Sequence, residues 1–326
     1  MIYFIADFGH FTNYGKLSLL LLKSLLIKEQ PKFVLFGGDN FYPVGMNKKN
    51  KDFYEQEFNT YFDKKAYNMY GILGNHDYMG NINYQIKNNN IFNMENKYYI
   101  IKYKNYDLYM IDTMILSPYM DGYQNMIYNN LDSNQDINKV LKDETYKQLI
   151  WLNKKLEVTK KENRIPILFG HYPIYSNGAY KNHNNNNKLF ELLLPLFLRY
   201  QIPLYVSGHD HIAQVAEHNI HDLKSQYDTC MNIDPITYNL NDYLNDQFND
   251  PDNNYKLTTV ISGSSVDLYT VTNMYNNSDS LVKYFNDRVN MVLKLELETD
   301  SIILSLIENN IIDNNSTLKY THIINN

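Results

Sequence analysis

Five short stretches of the chain place aspartate, asparagine or histidine directly behind an apolar run. They are Asp7 in Ala6-Asp7-Phe8-Gly9, Asp39 in Gly37-Gly38-Asp39-Asn40-Phe41-Tyr42, Asn75-His76-Asp77 after Gly74, His171 in Gly170-His171-Tyr172-Pro173, and His209 with His211 in Gly208-His209-Asp210-His211. Carboxylate, carboxamide and imidazole groups in such a mixture suit iron, zinc or manganese. Two cations a few ångströms apart clamp a phosphate and acidify a water, and a carboxylate shared between them must sit centrally. Taken singly, each piece is ordinary. An aspartate behind a strand is usually a turn residue or helix cap, and a lone buried histidine is more often a satisfied core residue. Five strand ends in order, all carrying donors, are what point to a metal site.

Those donors need strands to deliver them. Residues 3–6 form a short apolar run and predict a first strand, while the leucine-rich stretch 16–28 predicts a helix. Residues 33–36 predict a second buried strand, 53–62 a helix and 69–73 a third strand. Residues 98–103 and 108–111 read as a hairpin turning at 104–107. A helix carrying Trp151 and Leu152 precedes a strand at 165–169, and a helix at 188–200 precedes a strand at 204–206. This alternation predicts an α/β fold with buried strands, in which polar groups at strand ends face the ligand crevice. Glycine stands directly before Asp39, Asn75, His171 and His209, where the backbone must turn and approach closely. Residues 222–256 are rich in Asp, Asn and Tyr with weak periodicity, which predicts a surface insertion in a single domain spanning 1–326. Strands are expected again at 257–261, 289–297 and 301–307, the last two as a hairpin.

Composition narrows the function classes. The net charge is −6 and basic residues run no longer than pairs such as Lys48-Lys49, which argues against a nucleic-acid binder. No apolar stretch reaches the roughly 18 residues of a membrane span. The one cysteine, Cys230, cannot form an internal disulfide, and Met1 runs directly into the first apolar strand. Both features favour an intracellular protein over a secreted one, unless a leader has been trimmed.

With these motifs the chain resembles the calcineurin-like metallophosphoesterases, and within them the purple acid phosphatases of the mammalian tartrate-resistant type. The resemblance also draws on Tyr109-Met110-Ile111-Asp112-Thr113, Trp151-Leu152 and Ile261-Ser262-Gly263. It is weakest in 222–256 and at the C-terminal tail. Most of the superfamily begins with Asp-x-His; here the third position is Gly9. Purple acid phosphatases lack that histidine and use a tyrosine three residues after the bridging aspartate, where this chain has Tyr42 after Asp39.

The resemblance implies a four-layer sandwich, two mixed β-sheets packed together and flanked by helices. It implies ferric iron at Asp7, Asp39, Tyr42 and His211, and Fe(II), Zn or Mn at Asp39, Asn75, His171 and His209, with Asp39 bridging. His76 would face the substrate rather than a metal and hydrogen-bond the phosphate or protonate the leaving group. Asp77 would orient His76 or a ligand through a hydrogen bond, or cap a helix. In the mammalian enzymes a second histidine follows the His-Tyr-Pro segment and assists the leaving group. The comparable position here falls on Tyr180, and His183, three residues on, is either its replacement or a solvated loop histidine. The expected activity is hydrolysis of phosphate monoesters of small molecules or phosphoproteins, by in-line attack of an activated water. Phosphodiester or nucleotide substrates on the same core, and a non-catalytic interaction protein on this scaffold, are the alternatives.

Overall fold

Apolar runs too short for helices become the centres of two sheets. The computed structural model describes residues 1–88, 90–117, 137–178, 184–230, 246–250, 253–263, 281–286, 290–310 and 313–325. In chain order the elements are β1 (Ile2–Ile5), α1 (Asn13–Glu29), β2 (Phe33–Gly37), α2 (Lys51–Tyr61), β3 (Asn68–Ile72) and α3 (Asn75–Met79). β4 (Tyr99–Tyr103), β5 (Tyr106–Met110), α4 (Thr113–Leu116), α5 (Ile137–Lys161), β6 (Ile165–Phe169), α6 (Asn184–Tyr200) and β7 (Leu204–Ser207) follow. The chain continues with β8 (Ala213–Asn219), α7 (Ile220–Cys230), β9 (Lys256–Ser262), β10 (Val282–Asn286), β11 (Met291–Leu297), β12 (Ser301–Asn310) and β13 (Asn315–Asn325).

One sheet has the order β13-β12-β11-β1-β2-β3 and the other β10-β8-β9-β7-β6-β5-β4. Both are mixed. β1, β2 and β3 run parallel, as do β5, β6, β7 and β9, while the outer strands pair antiparallel. The sheets face each other across one apolar core, where Phe4 of β1 meets Phe169 of β6 with ring centroids 5.8 Å apart. Buried on both faces, the central strands read as unbroken apolar runs. Helix α2 buries Tyr54, Phe58 and Tyr61, one face at helical spacing, against the first sheet. There Phe58 and Phe62 close on Phe36 and Phe8. Among the described residues no helix is long and apolar enough to cross a membrane.

Several expectations need adjustment. The hairpin between β4 and β5 turns at Lys104 and Asn105, not over 104–107, because Tyr103 pairs with Tyr106 and Lys104 takes a positive φ of 51°. Asp107 can then lie inside β5, since Arg164 Nε at 2.7 Å and Thr159 Oγ1 at 2.6 Å satisfy its carboxylate. Strands β8, β10 and β13 come in addition to the expected ones. Of the stretch 222–256, residues up to 230 belong to α7, which buries Leu223 and Tyr227, and Phe248 and Tyr255 are also in the core; 231–245 and 251–252 lie outside the described residues.

Candidate metal centre

The donors follow β1, β2, β3, β6 and β7, all parallel strands, so they gather along one edge of the sandwich. The two sheets are tied together there. His209 N–H, in the loop after β7, donates to Asp7 Oδ2 after β1 at 2.9 Å. His171 Nδ1, in the loop after β6, lies 2.9 Å from the Gly37 carbonyl at the end of β2. Only a protonated Nδ1 satisfies that carbonyl, which leaves Nε2 to point at Asn75 Oδ1, 3.1 Å away, and Asp39 Oδ1, 3.4 Å away.

Asp39 is the centre of the arrangement. Its Oδ1 accepts from His76 N at 2.8 Å and faces His171, while its Oδ2 accepts from the Tyr42 hydroxyl at 2.8 Å. The same hydroxyl lies 3.1 Å from His211 Nε2 and 3.3 Å from Asp7 Oδ1. Two groups of donors thus share one carboxylate: Asp7, Tyr42 and His211 on one side, Asn75, His171 and His209 on the other. Ligand atoms of Asp39, His171 and His209 all lie within 4.8 Å of one another. Asp7, Asp39, His209 and His211 take positive φ values of 55°, 51°, 70° and 49°. Aspartate and histidine tolerate this left-handed region better than most residues, at a cost of about 1–2 kcal/mol each. Such strain concentrates at functional sites.

The electrostatics fit cations. Burial works against the Asp39 carboxylate, yet His171, His76 and His209 around it hold it well below the usual carboxylate range. Burial also opposes charge on His171, but Asp39 outweighs it and raises the imidazolium to about 9. The Tyr42 phenol is pushed the other way, well above its ordinary value, by burial and by the Asp39 and Asp7 carboxylates. A phenol caught between two carboxylates ionises only when a cation joins them. The donor set therefore suits a pair of metal ions: a hard, highly charged one beside Tyr42 and a divalent one among Asn75, His171 and His209.

Residues 1–213 match the family model described as calcineurin-like phosphoesterase. The protein belongs to that family. Over 194 residues, 56% of this chain and 55% of the relative, it is 29% identical to rat tartrate-resistant acid phosphatase type 5. The chain spans about half the length of the curated relatives it matches. Among solved structures, GAP50, the anchor in the inner membrane complex of Plasmodium, shares the fold with a TM-score of 0.68 and 21% identity, over 99% of this chain and 88% of that one. Purple acid phosphatase PPD1 from yellow lupin shares it with a TM-score of 0.58 and 12% identity, over 99% of this chain and 53% of that one.

Within the calcineurin-like phosphoesterase fold, Gly9 explains how a histidine is absent where most of the superfamily has one. A Cβ there would lie 2.1 Å from the Asn40 carbonyl oxygen and 2.6 Å from Phe41 N, so no side chain fits. The close approach also lets the Gly9 carbonyl accept from Tyr42 N at 3.2 Å, which sets Tyr42 over the site. Gly74 is confined in the same way, its Cβ position 2.2 Å from Asp39 Oδ1.

The remaining candidates divide. His76 is partly exposed; its Nδ1 lies 2.6 Å from the Pro43 carbonyl and its Nε2 3.9 Å from Asp39 Oδ2. Asp77 does not bond the His76 ring. Its carboxylate instead accepts from Gly74 N, Asn40 N and Gln85 Nε2, at 2.8, 3.1 and 2.9 Å. It therefore holds the peptide behind Asp39 and the start of α3, and burial raises its pKa to about 7, helped by Asp39. His183 and Tyr180 lie outside the described residues.

Five supporting residues have no role among the expectations from the sequence. Thr113 Oγ1 accepts from His171 N at 3.3 Å and Tyr172 N at 3.0 Å. Gln148 clamps the Asp112 backbone with two 2.8 Å bonds. Asp210, between His209 and His211, accepts from Ser176 Oγ and so pins the loop after His171. Gln214 and Gln226 hold the same loop at Tyr175 O, Asn177 N and Ile174 O. Asp210 and Thr113 had a signal in the sequence, their places inside Gly208-His209-Asp210-His211 and Tyr109-Met110-Ile111-Asp112-Thr113; the three glutamines, on α5, β8 and α7, have none.

Proposed function

We propose that this protein hydrolyses phosphate monoesters at a dinuclear metal centre, with ferric iron held by Asp7, Asp39, Tyr42 and His211 and Fe(II), Zn or Mn held by Asp39, Asn75, His171 and His209. The observation that carries the reading is Asp39, whose two oxygens face the two donor groups separately. When bound, the cations supply positive charge to the phosphoryl oxygens and lower the pKa of a coordinated water. The chain's own residues do the rest. Asp39, buried and ionised, fixes the spacing of the two groups. His171 presents Nε2 because Gly37 O holds its Nδ1 proton. His76 is held the same way by Pro43 O, so its Nε2 is left on the side of Asp39, where it can hydrogen-bond a phosphate or pass a proton to a leaving oxygen. Asp77 keeps the Asp39 and Asn75 backbones in register.

The test is hydrolysis of an aryl phosphate monoester and of the matching diester across pH, with iron and zinc supplied, for the wild type and His209→Ala. The expected result is monoester turnover by the wild type and loss of it in the variant. Turnover of the diester alone would shift the substrate class. No turnover of either by protein shown to hold both metals would favour an interaction protein on this scaffold.

A further inference from the structure

Tyr42 is gripped at three places. Its N–H donates to Gly9 O at 3.2 Å, and its carbonyl accepts from Tyr54 OH at 2.5 Å. Its ring is covered by the imidazole of His10, with centroids 3.7 Å apart and planes at 22°. His76 also approaches the ring, at 4.3 Å, but it is tilted by 45° and held by Pro43 O. Among the described residues His10 is the one ring stacked on Tyr42. It follows directly on Gly9, so two consecutive residues of the β1–α1 loop fix both the backbone and the ring plane of one metal-donor tyrosine.

From this geometry we infer that His10 is a positioning residue: its stacked imidazole sets the plane of the Tyr42 ring, and thereby the strength and colour of the phenolate–ferric bond. The inference rests on the reading of Tyr42 as a ligand. A phenolate's bond to a metal depends on the torsion of its ring about the C–O bond, and a stacked ring restricts that torsion. Groups that orient a ligand in this way typically change metal affinity by about 10–100-fold when removed. His10 touches the ring of a ligand rather than the substrate, so its loss should be read in the metal's spectrum.

The experiment loads the full chain with ferric iron, records the visible phenolate-to-metal band, and follows iron loss to a chelator. His10→Phe keeps a parallel ring; His10→Leu keeps apolar bulk and removes the ring. The band and iron loss of His10→Phe should match the wild type. His10→Leu should show a displaced, broadened band and iron loss about tenfold faster. A His10→Leu protein indistinguishable from the wild type overturns the inference, as does a His10→Phe protein with a displaced band; should His10→Leu not fold, His10→Phe alone decides. If iron-loaded wild type has no visible band and Tyr42→Phe is unchanged, the ligand reading itself fails, and the inference falls with it.

Discussion

Asp77, Asp112 and Asp210 are buried carboxyl groups around the centre, each pushed up first by burial, to about 7, about 6 and about 7. Asp112 is the most informative, because it contacts none of the proposed ligands. It caps α4 through Met114 N and Ile115 N and accepts from Tyr78 OH. Its folded pKa of about 6 stands above the ordinary 3.8, so the folded state holds the proton more tightly than the unfolded chain. Its contribution to stability is therefore fully present below pH 3.8 and lost as pH rises through about 6. At 1.36 kcal/mol per unit the difference amounts to about 3 kcal/mol. Asp112→Asn, which cannot ionise, should gain about 3 kcal/mol on the wild type between pH 4 and pH 7 in denaturant titrations. A constant gap would mean that the group titrates alike in both states.

At the scale of elements, two loops of the first sheet make the Tyr42 half of the site by leaning on each other. Gly9 in the β1–α1 loop meets the Asn40–Phe41 peptide behind β2 with no room for a methyl group. Gly9→Ala should push that peptide away, cost about 1–3 kcal/mol as overpacking, and weaken ferric iron binding by moving Tyr42. Denaturation and the visible band of the iron-loaded protein would check both effects. Unchanged stability and colour would show that the loops can separate. This coupling also explains what the sequence could reveal. Gly9 without histidine and Tyr42 three residues after Asp39 are legible as a pair of letters, but the contact that makes them one feature joins two loops and appears only in the fold. The strands were legible where they are buried on both faces, as at β1, β2, β6 and β7. β8 carries Gln214, Glu217 and His218, and the edge strand β13 alternates exposed and half-buried residues, most of them polar, so neither presents an apolar run. The short β4–β5 turn was hidden because Arg164, distant in sequence, makes Asp107 acceptable inside a strand.

The whole molecule is divided by its own site. Asp7, Asp39, Tyr42 and Asn75 follow strands of one sheet; His171, His209 and His211 follow strands of the other. Cations held by both groups join the sheets, so their binding energy becomes folding energy. A cation at a hundred times its Kd adds about 2.7 kcal/mol, several degrees in Tm for a domain of this size. Stripping the protein with a chelator should lower Tm, and re-adding iron and zinc should restore it. A Tm indifferent to metal would show that the folded chain binds no cation in preference to the unfolded one.

The order of strands in the first sheet has a consequence for how the protein is made. All seven proposed donors have been synthesised by residue 211, but β1, which Asp7 follows, is flanked on one side by β11, beginning at Met291. Those 80 intervening residues (291 − 211) take roughly 4–16 s to synthesise at about 5–20 residues per second. Throughout that interval the nascent chain holds a full set of donors beside an unpaired, wholly apolar strand edge, the kind of template on which chains aggregate. Synthesis thus completes the proposed donor set well before the sheet beneath it can close.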